Sequence, residues 1–152
     1  MKIVAKTDQG KIRKDNQDSF AAGELPGGVV WAVVCDGMGG AAGGSVASQT
    51  AVKMISEKIA SGYQYGMSDK SIKNLLTSVV ESANSSIYEM SCSVESLNGM
   101  GTTVVVSVIR DKELYLVHAG DSRAYRVTKD SITQLTRDHS VVQDMVEHGE
   151  LT

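Results

Sequence analysis

Val29-Val30-Trp31-Ala32-Val33-Val34-Cys35-Asp36-Gly37-Met38-Gly39-Gly40 runs seven apolar residues straight into one carboxylate and three glycines. The stretch 29–35 reads as a buried strand, which puts Asp36 at a strand's end, where a rigid scaffold meets solvent. Further glycines at 43 and 44 let the backbone approach a neighbour closely or take positive φ. A carboxylate in this position either binds a cation or caps a turn, since Asp-Gly is among the commonest turn dipeptides.

Working outward, residues 3–7 and 19–25 read as strands separated by the polar segment 8–18. Leu25-Pro26-Gly27-Gly28 is a turn holding the only proline. Beyond the glycines, Ala47, Ala51, Met54, Ile55 and Ile59 form one helical stripe, ended by Ser61-Gly62. Ser68 N-caps a second helix whose apolar positions are Ile72, Leu75, Leu76, Val79, Val80, Ala83, Ile87 and Met90. Both stripes face a core and imply no cofactor.

From Thr102 the period becomes that of sheet. Strands are expected at 102–109 and 114–119, joined by the hairpin loop Arg110-Asp111-Lys112-Glu113, then at 122–127 and 131–135. A short helix is expected at 141–147, ended by His148-Gly149. No repeat, low-complexity linker or domain boundary interrupts the chain. The order β-β-β-α-α-β-β-β-β predicts an α+β fold, with helices packed together on a largely antiparallel sheet. No closing element precedes Thr152, so the sheet is expected to be unfinished there.

The chain of 152 residues suits one domain with a real core. Aromatics make up only 5%, so that core must come from Val, Ile, Leu, Ala and Met. The net charge of −3 gives no electrostatic footprint for nucleic acid or an anionic membrane. No apolar run approaches the roughly 20 residues of a bilayer span, and Met1-Lys2-Ile3-Val4-Ala5-Lys6 lacks the apolar core of a signal peptide. Two cysteines without metal-ligand spacing, Cys35 and Cys92, predict a reduced, cytoplasmic setting, with Cys35 a core residue.

Three further segments carry chemistry. The polar segment 7–18 holds Arg13, whose fork suits a phosphate, and carboxylates at 15 and 18 that suit a hard cation or its water shell. The alternative is a solvated loop with casual charges. Asn98-Gly99-Met100-Gly101-Thr102-Thr103 enters a strand with two glycines and two hydroxyls. His118-Ala119-Gly120-Asp121-Ser122-Arg123 sets a charge pair between strands, where Asp121 needs Arg123, a cation or a set of donors. His118 alone reads as a packed histidine. Together these groups describe an oxygen-ligand site for Mg²⁺ or Mn²⁺ beside a phosphate. Zinc is disfavoured for want of a Cys/His set, and neither a Walker phosphate loop nor a dinucleotide fingerprint is present.

In this order the segments resemble the type 2C metal-dependent serine/threonine protein phosphatases, in particular their bacterial branch. The matching stretches are 7–19, 33–51, 99–106, 119–126 and Leu135-Thr136-Arg137-Asp138-His139-Ser140, which run nearly the length of the chain. The resemblance implies an antiparallel β-sandwich flanked by antiparallel helix pairs, with a two-metal site at one end. It implies that Asp36 bridges both ions, that the Gly37 carbonyl ligates one, and that Arg13 holds the substrate phosphate. Asp18 would act on the metal through a water, and Asp121 would help bind a third ion. The implied reaction is hydrolysis of phosphoserine and phosphothreonine in proteins by water activated at a binuclear Mn²⁺ or Mg²⁺ centre, with two or three ions in the intact enzyme and Asp36, Asp18 and Arg13 as catalytic residues. Implied partners are phosphorylated proteins, including a Ser/Thr kinase.

Gln17 stands where many members carry glutamate, and Met38 where animal members carry a histidine proposed as general acid. Family domains continue through a flap and later strands that carry two further metal-binding aspartates. Residues 1–152 are therefore expected to be the N-terminal part of a single domain, binding metal weakly and hydrolysing little by itself. Exposed sheet edges predict self-association. The competing expectations are a non-catalytic, phosphatase-like module that binds phosphoproteins or a partner, and a stable domain whose acidic turns are structural only.

Overall fold

The structure, a computed structural model, describes residues 1–140, apart from the side chains of Ala41 and Ala42. The helix expected at 141–147 lies outside the described residues. One antiparallel sheet dominates: β1 (Asp18–Leu25), β2 (Val29–Met38), β4 (Val104–Arg110) and β5 (Glu113–Ala119) in the order β1-β2-β4-β5, while β3 (Gly101–Thr102) also pairs with β2. A small hairpin, β6 (Tyr125–Val127) with β7 (Ile132–Gln134), stands apart. Two helices, α1 (Gly40–Gly62) and α2 (Asp69–Ser93), pack on one another and back the sheet.

Periodicity explains the layers. In β4, Val104, Val106 and Val108 are buried while Val105 and Ser107 are only partly so, the alternation of a strand with one covered face. Val33, Cys35, Val106 and Val108 meet Ile55 and Ile59 of α1 and Ile72 and Leu76 of α2, all fully buried. Burying each such branched side chain stabilises by about 1.5–3 kcal/mol. Ser68 caps α2 as expected, its hydroxyl accepting the Ser71 N–H at 3.2 Å. Cys35 is core, and burial pushes its thiol up to about 12.

Four expectations change. Residues 3–7 form no strand; they lie beside Phe20, Ala22 and Val34, and no strand pairs with them among the described residues. β2 does not end at 35 but continues to Met38, because Asp36 faces Asp18 on one side and Gly37 and Met38 face Thr102 and Gly101 on the other. The strand expected at 102–109 is split at Thr103. The strands expected at 122–127 and 131–135 shrink to three residues each. Their flanks instead bond crosswise, Ala124 N–H to Thr136 Oγ1 at 3.1 Å and Leu135 N–H to the Ala124 carbonyl at 2.8 Å.

Candidate metal and phosphate site

The site lies where β1 begins, β2 ends and β5 ends. The polar segment before β1 is shaped by its own side chains. The Gln9 amide donates to the Arg13 carbonyl at 3.0 Å and to the Lys14 carbonyl, Gly10 N–H donates to Asp8 Oδ1 at 2.8 Å, and the Asn16 amide reaches Thr7 Oγ1 at 2.6 Å. Asn16 then accepts the Asp18 N–H at 3.0 Å, an Asx turn that launches β1.

Asp18 and Asp36 are direct cross-strand partners, which brings two carboxylates side by side on the exposed face. Gly37 is buried beside them. A β-carbon on Gly37 would fall on the Gly44 carbonyl oxygen at the start of α1, so only glycine admits this approach of strand to helix. The Gln17 carbonyl accepts both the Gly37 N–H at 3.2 Å and the Ser48 hydroxyl at 2.6 Å, and Ser48 also meets Ser19 Oγ at 3.0 Å. These bonds tie the segment carrying Arg13 and Asp18 to α1.

Across the strand, Thr103 N–H and Thr102 Oγ1 both donate to the Asp36 carbonyl at 2.9 Å, and Asp36 N–H donates to Thr103 Oγ1 at 3.0 Å. Asp36 is thus fixed through its backbone, and its carboxylate is left to the solvent side.

Arg13, Asp15, Asp36, Gly37, Thr103 and Asp121 line one open cleft of about 490 Å³. An adjoining hollow shares Arg13, Asp36 and Gly37 and adds Asp18. Asp36 stands in the wall between them. Burial pushes its pKa up, the charge of Asp18 and a hydrogen bond with Asp18 push the same way, and Asp121 adds to them; Arg13 opposes. Neither Arg13 nor Asp36 has an ion-pair partner within 4.0 Å among the described residues.

Each expected residue is now accounted for. Arg13, Asp36, the Gly37 backbone and Asp121 share the cleft, and Asp18 joins through Asp36. Asp121 is exposed, and Arg123, one of the three partners considered for it, pairs with Asp138 at 2.7 Å, because Asp138 approaches on the segment after β7. His118 is a packed histidine: its Nε2 meets the Arg137 carbonyl at 2.8 Å and its ring stacks on His139 at 4.6 Å. Sequence reasoning missed Ser48, although a hydroxyl inside the apolar stripe of α1 is a signal that it bonds something buried. It also read Thr103 only as a strand residue.

All the donors are hard oxygens, and Asp36 has no ion-pair partner within 4.0 Å among the described residues, which fits a divalent cation of the Mn²⁺ or Mg²⁺ kind. Among the described residues no three carboxylate, imidazole or thiol groups gather into one metal-holding cluster. The chemistry of the donor set fits, while its number does not close a site.

Residues 11–145 match the family model described as Protein phosphatase 2C. The chain belongs to the protein phosphatase 2C family. Within that family it is 33% identical over 147 residues to the serine/threonine phosphatase stp of Listeria innocua, covering 97% of this chain and 58% of the relative. The S. agalactiae serine/threonine phosphatase superposes with a TM-score of 0.88 at 33% identity, over 97% of this chain and 60% of that one. The catalytic domain of the phosphatase PstP, solved in complex with two manganese ions, superposes with a TM-score of 0.81 at 33% identity, over 97% and 60%. The chain therefore spans a little under two thirds of these phosphatase 2C relatives, and its α+β architecture is theirs. No helix among the described residues is long and apolar enough to cross a membrane.

Proposed function

We propose that this chain supplies the phosphate-binding and metal-bridging part of a cytoplasmic protein serine/threonine phosphatase, whose substrates are phosphoserine and phosphothreonine proteins, a Ser/Thr kinase among them. The observation that carries the reading is Asp36: its backbone is held by pairing on both sides, and its carboxylate sits beside Asp18 and feels the charges of Asp121 and Arg13, which line the same cleft as Asp36. Asp36 and the Gly37 carbonyl would hold two divalent ions, Mn²⁺ or Mg²⁺, with Asp121 toward a third. When bound, those ions would acidify a water and offset charge on the phosphoryl oxygens.

The chain's own residues do the rest. Arg13 takes two phosphoryl oxygens through its planar fork. Asp18, beside Asp36, accepts a hydrogen bond from the attacking water and orients it in line with the phosphorus. Met38 offers no proton to the leaving serine or threonine oxygen.

Calorimetric titration with Mn²⁺ of this chain and of Asp36→Asn tests the reading. Weak, saturable binding that Asp36→Asn abolishes is expected, with little phosphopeptide turnover by the 152 residues alone. Identical heats for both proteins would rule it out and leave the acidic turns structural. A non-catalytic module that binds phosphoproteins or a partner is the second reading, and rapid Mn²⁺-dependent phosphopeptide hydrolysis by this chain would dismiss it.

A further inference from the structure

The β2–β3 and β2–β4 ladders share one register, since Gly37 faces Thr102 and Val34 faces Val105. That register puts Thr103 opposite Asp36. An antiparallel pair at such a position exchanges two backbone bonds, each N–H to the other's carbonyl. Only one is a backbone bond here, from Thr103 N–H to the Asp36 carbonyl at 2.9 Å. The other is replaced: Asp36 N–H goes to the Thr103 hydroxyl at 3.0 Å, while the Thr103 carbonyl lies 3.0 Å from Thr102 Oγ1, whose single proton it shares with the Asp36 carbonyl. A side chain has taken over the ladder at the residue whose carboxylate matters most.

The same hydroxyl meets Ser122 Oγ at 2.7 Å, next in sequence to Asp121. Having accepted the Asp36 N–H, it can donate to Ser122 or accept from it. Thr103's methyl lies close to the turn on the other side. A β-carbon on Gly120, whose φ is +98°, would stand 2.7 Å from Thr103 Cγ2. So one side chain, 5% exposed, touches the strand that carries Asp36 and both flanks of Asp121, and it lines the cleft that both carboxylates face.

We infer that Thr103 is a positioning residue that sets Asp36 and Asp121 relative to one another through its hydroxyl. It touches no reacting atom. The inference rests on the metal-site reading above only for its functional consequence; the coupling itself belongs to the metal-free chain. Two substitutions separate the parts of Thr103. Thr103→Val keeps the methyl group and removes the hydroxyl, whereas Thr103→Ser keeps the hydroxyl and removes the methyl.

Amide resonances and hydrogen exchange measured by NMR on the full metal-free chain provide the first readout. In Thr103→Val, the amide signals of both Asp36 and Asp121 should move and the Asp36 amide should exchange about tenfold faster, the equivalent of one lost hydrogen bond. In Thr103→Ser both should stay at wild-type positions. Mn²⁺ titration provides the second: about tenfold weaker binding in Thr103→Val and wild-type binding in Thr103→Ser, as for residues that orient ligands.

Should Thr103→Val fail to fold, Ser122→Ala cuts the far bond alone, and it should move the Asp121 signal and weaken Mn²⁺ binding. Disturbance confined to Asp36 overturns the coupling, as does a valine variant that binds Mn²⁺ as tightly as wild type when Asp36→Asn has lost that binding. If wild type and Asp36→Asn take up Mn²⁺ alike, the proposed function fails, and the two amide signals still decide the coupling by themselves.

Discussion

The two ends of the main sheet both carry charge, and they handle it in opposite ways. At the end away from the cleft, Arg110 donates to the Met67 carbonyl, to Asp69 and, at 3.0 Å, to the Tyr115 hydroxyl, which itself donates to Asp69 at 2.6 Å. Arg110, Asp69 and Tyr115 each have an opposite or complementary partner there, while the buried Tyr63 hydroxyl nearby has none among the described residues. The Tyr115 hydrogen bond, helped by Arg110, holds the Asp69 carboxyl below the usual carboxylate range. At the cleft end, burial and two neighbouring carboxylates hold Asp36 above it. A satisfied network joins β4 and β5 to the start of α2; an unsatisfied one waits for a cation or an anion. Strained electrostatics on a well-held backbone mark the functional end.

If the cleft end is rigid backbone carrying unrelieved charge, its backbone must be intolerant of substitution. Gly37→Ala is the largest test, because the new methyl group meets the backbone carbonyl oxygen of Gly44 and no side chain that could turn aside. A loss of about 3 kcal/mol is expected in urea unfolding, at the upper end of overpacking costs. A wild-type midpoint would show that strand and helix are not locked there.

Ser48→Ala comes next. Ser48 is fully buried, and its removal takes one of two donors from the Gln17 carbonyl and leaves the Ser19 hydroxyl short of a partner. About 1 kcal/mol of stability should be lost. The segment bearing Arg13 and Asp18 should loosen with it, read as a larger drop in Mn²⁺ affinity than the stability change explains. Loss of stability with affinity intact would make Ser48 a core hydroxyl and no more.

Much of this contrast was legible beforehand, and the reason differs by residue. The helices and β4 announce themselves because period is a local property. Asp36 and Asp121 stand out because charge inside apolar sequence demands an explanation. The Arg123–Asp138 pair was hidden, since 15 residues separate its members and only the fold of the hairpin between them brings the two together. The continuation of β2 through Gly37 was hidden too: glycine is a poor strand former, and only pairing on both sides holds it there. Thr103 and Ser48 look in sequence like any β-branched strand residue or small helix residue. Their hydroxyls acquire meaning only from backbone groups brought close by tertiary structure.

The smallest effects have opposite signs at the two ends. Asp69, depressed in the folded state, contributes stability above its ordinary titration range and loses it as pH falls through the folded value. Asp69→Asn should therefore be destabilising at neutral pH and converge on wild type in acid. Asp36, raised in the folded state, behaves in reverse. Protons favour the folded form, so the metal-free wild type loses stability as pH climbs from the ordinary carboxylate range through the folded value. Asp36→Asn should consequently be more stable than wild type at neutral pH and equal to it in acid. The effect is modest because the group is largely open to solvent. Adding Mn²⁺ should reverse the order at neutral pH, since only the wild type gains a bound ion. Thermal melts of wild type and both variants across pH, with and without Mn²⁺, measure all of this together. Two variants that shift in the same direction would mean that the cleft end is as well compensated as the far end, and the contrast between them would collapse.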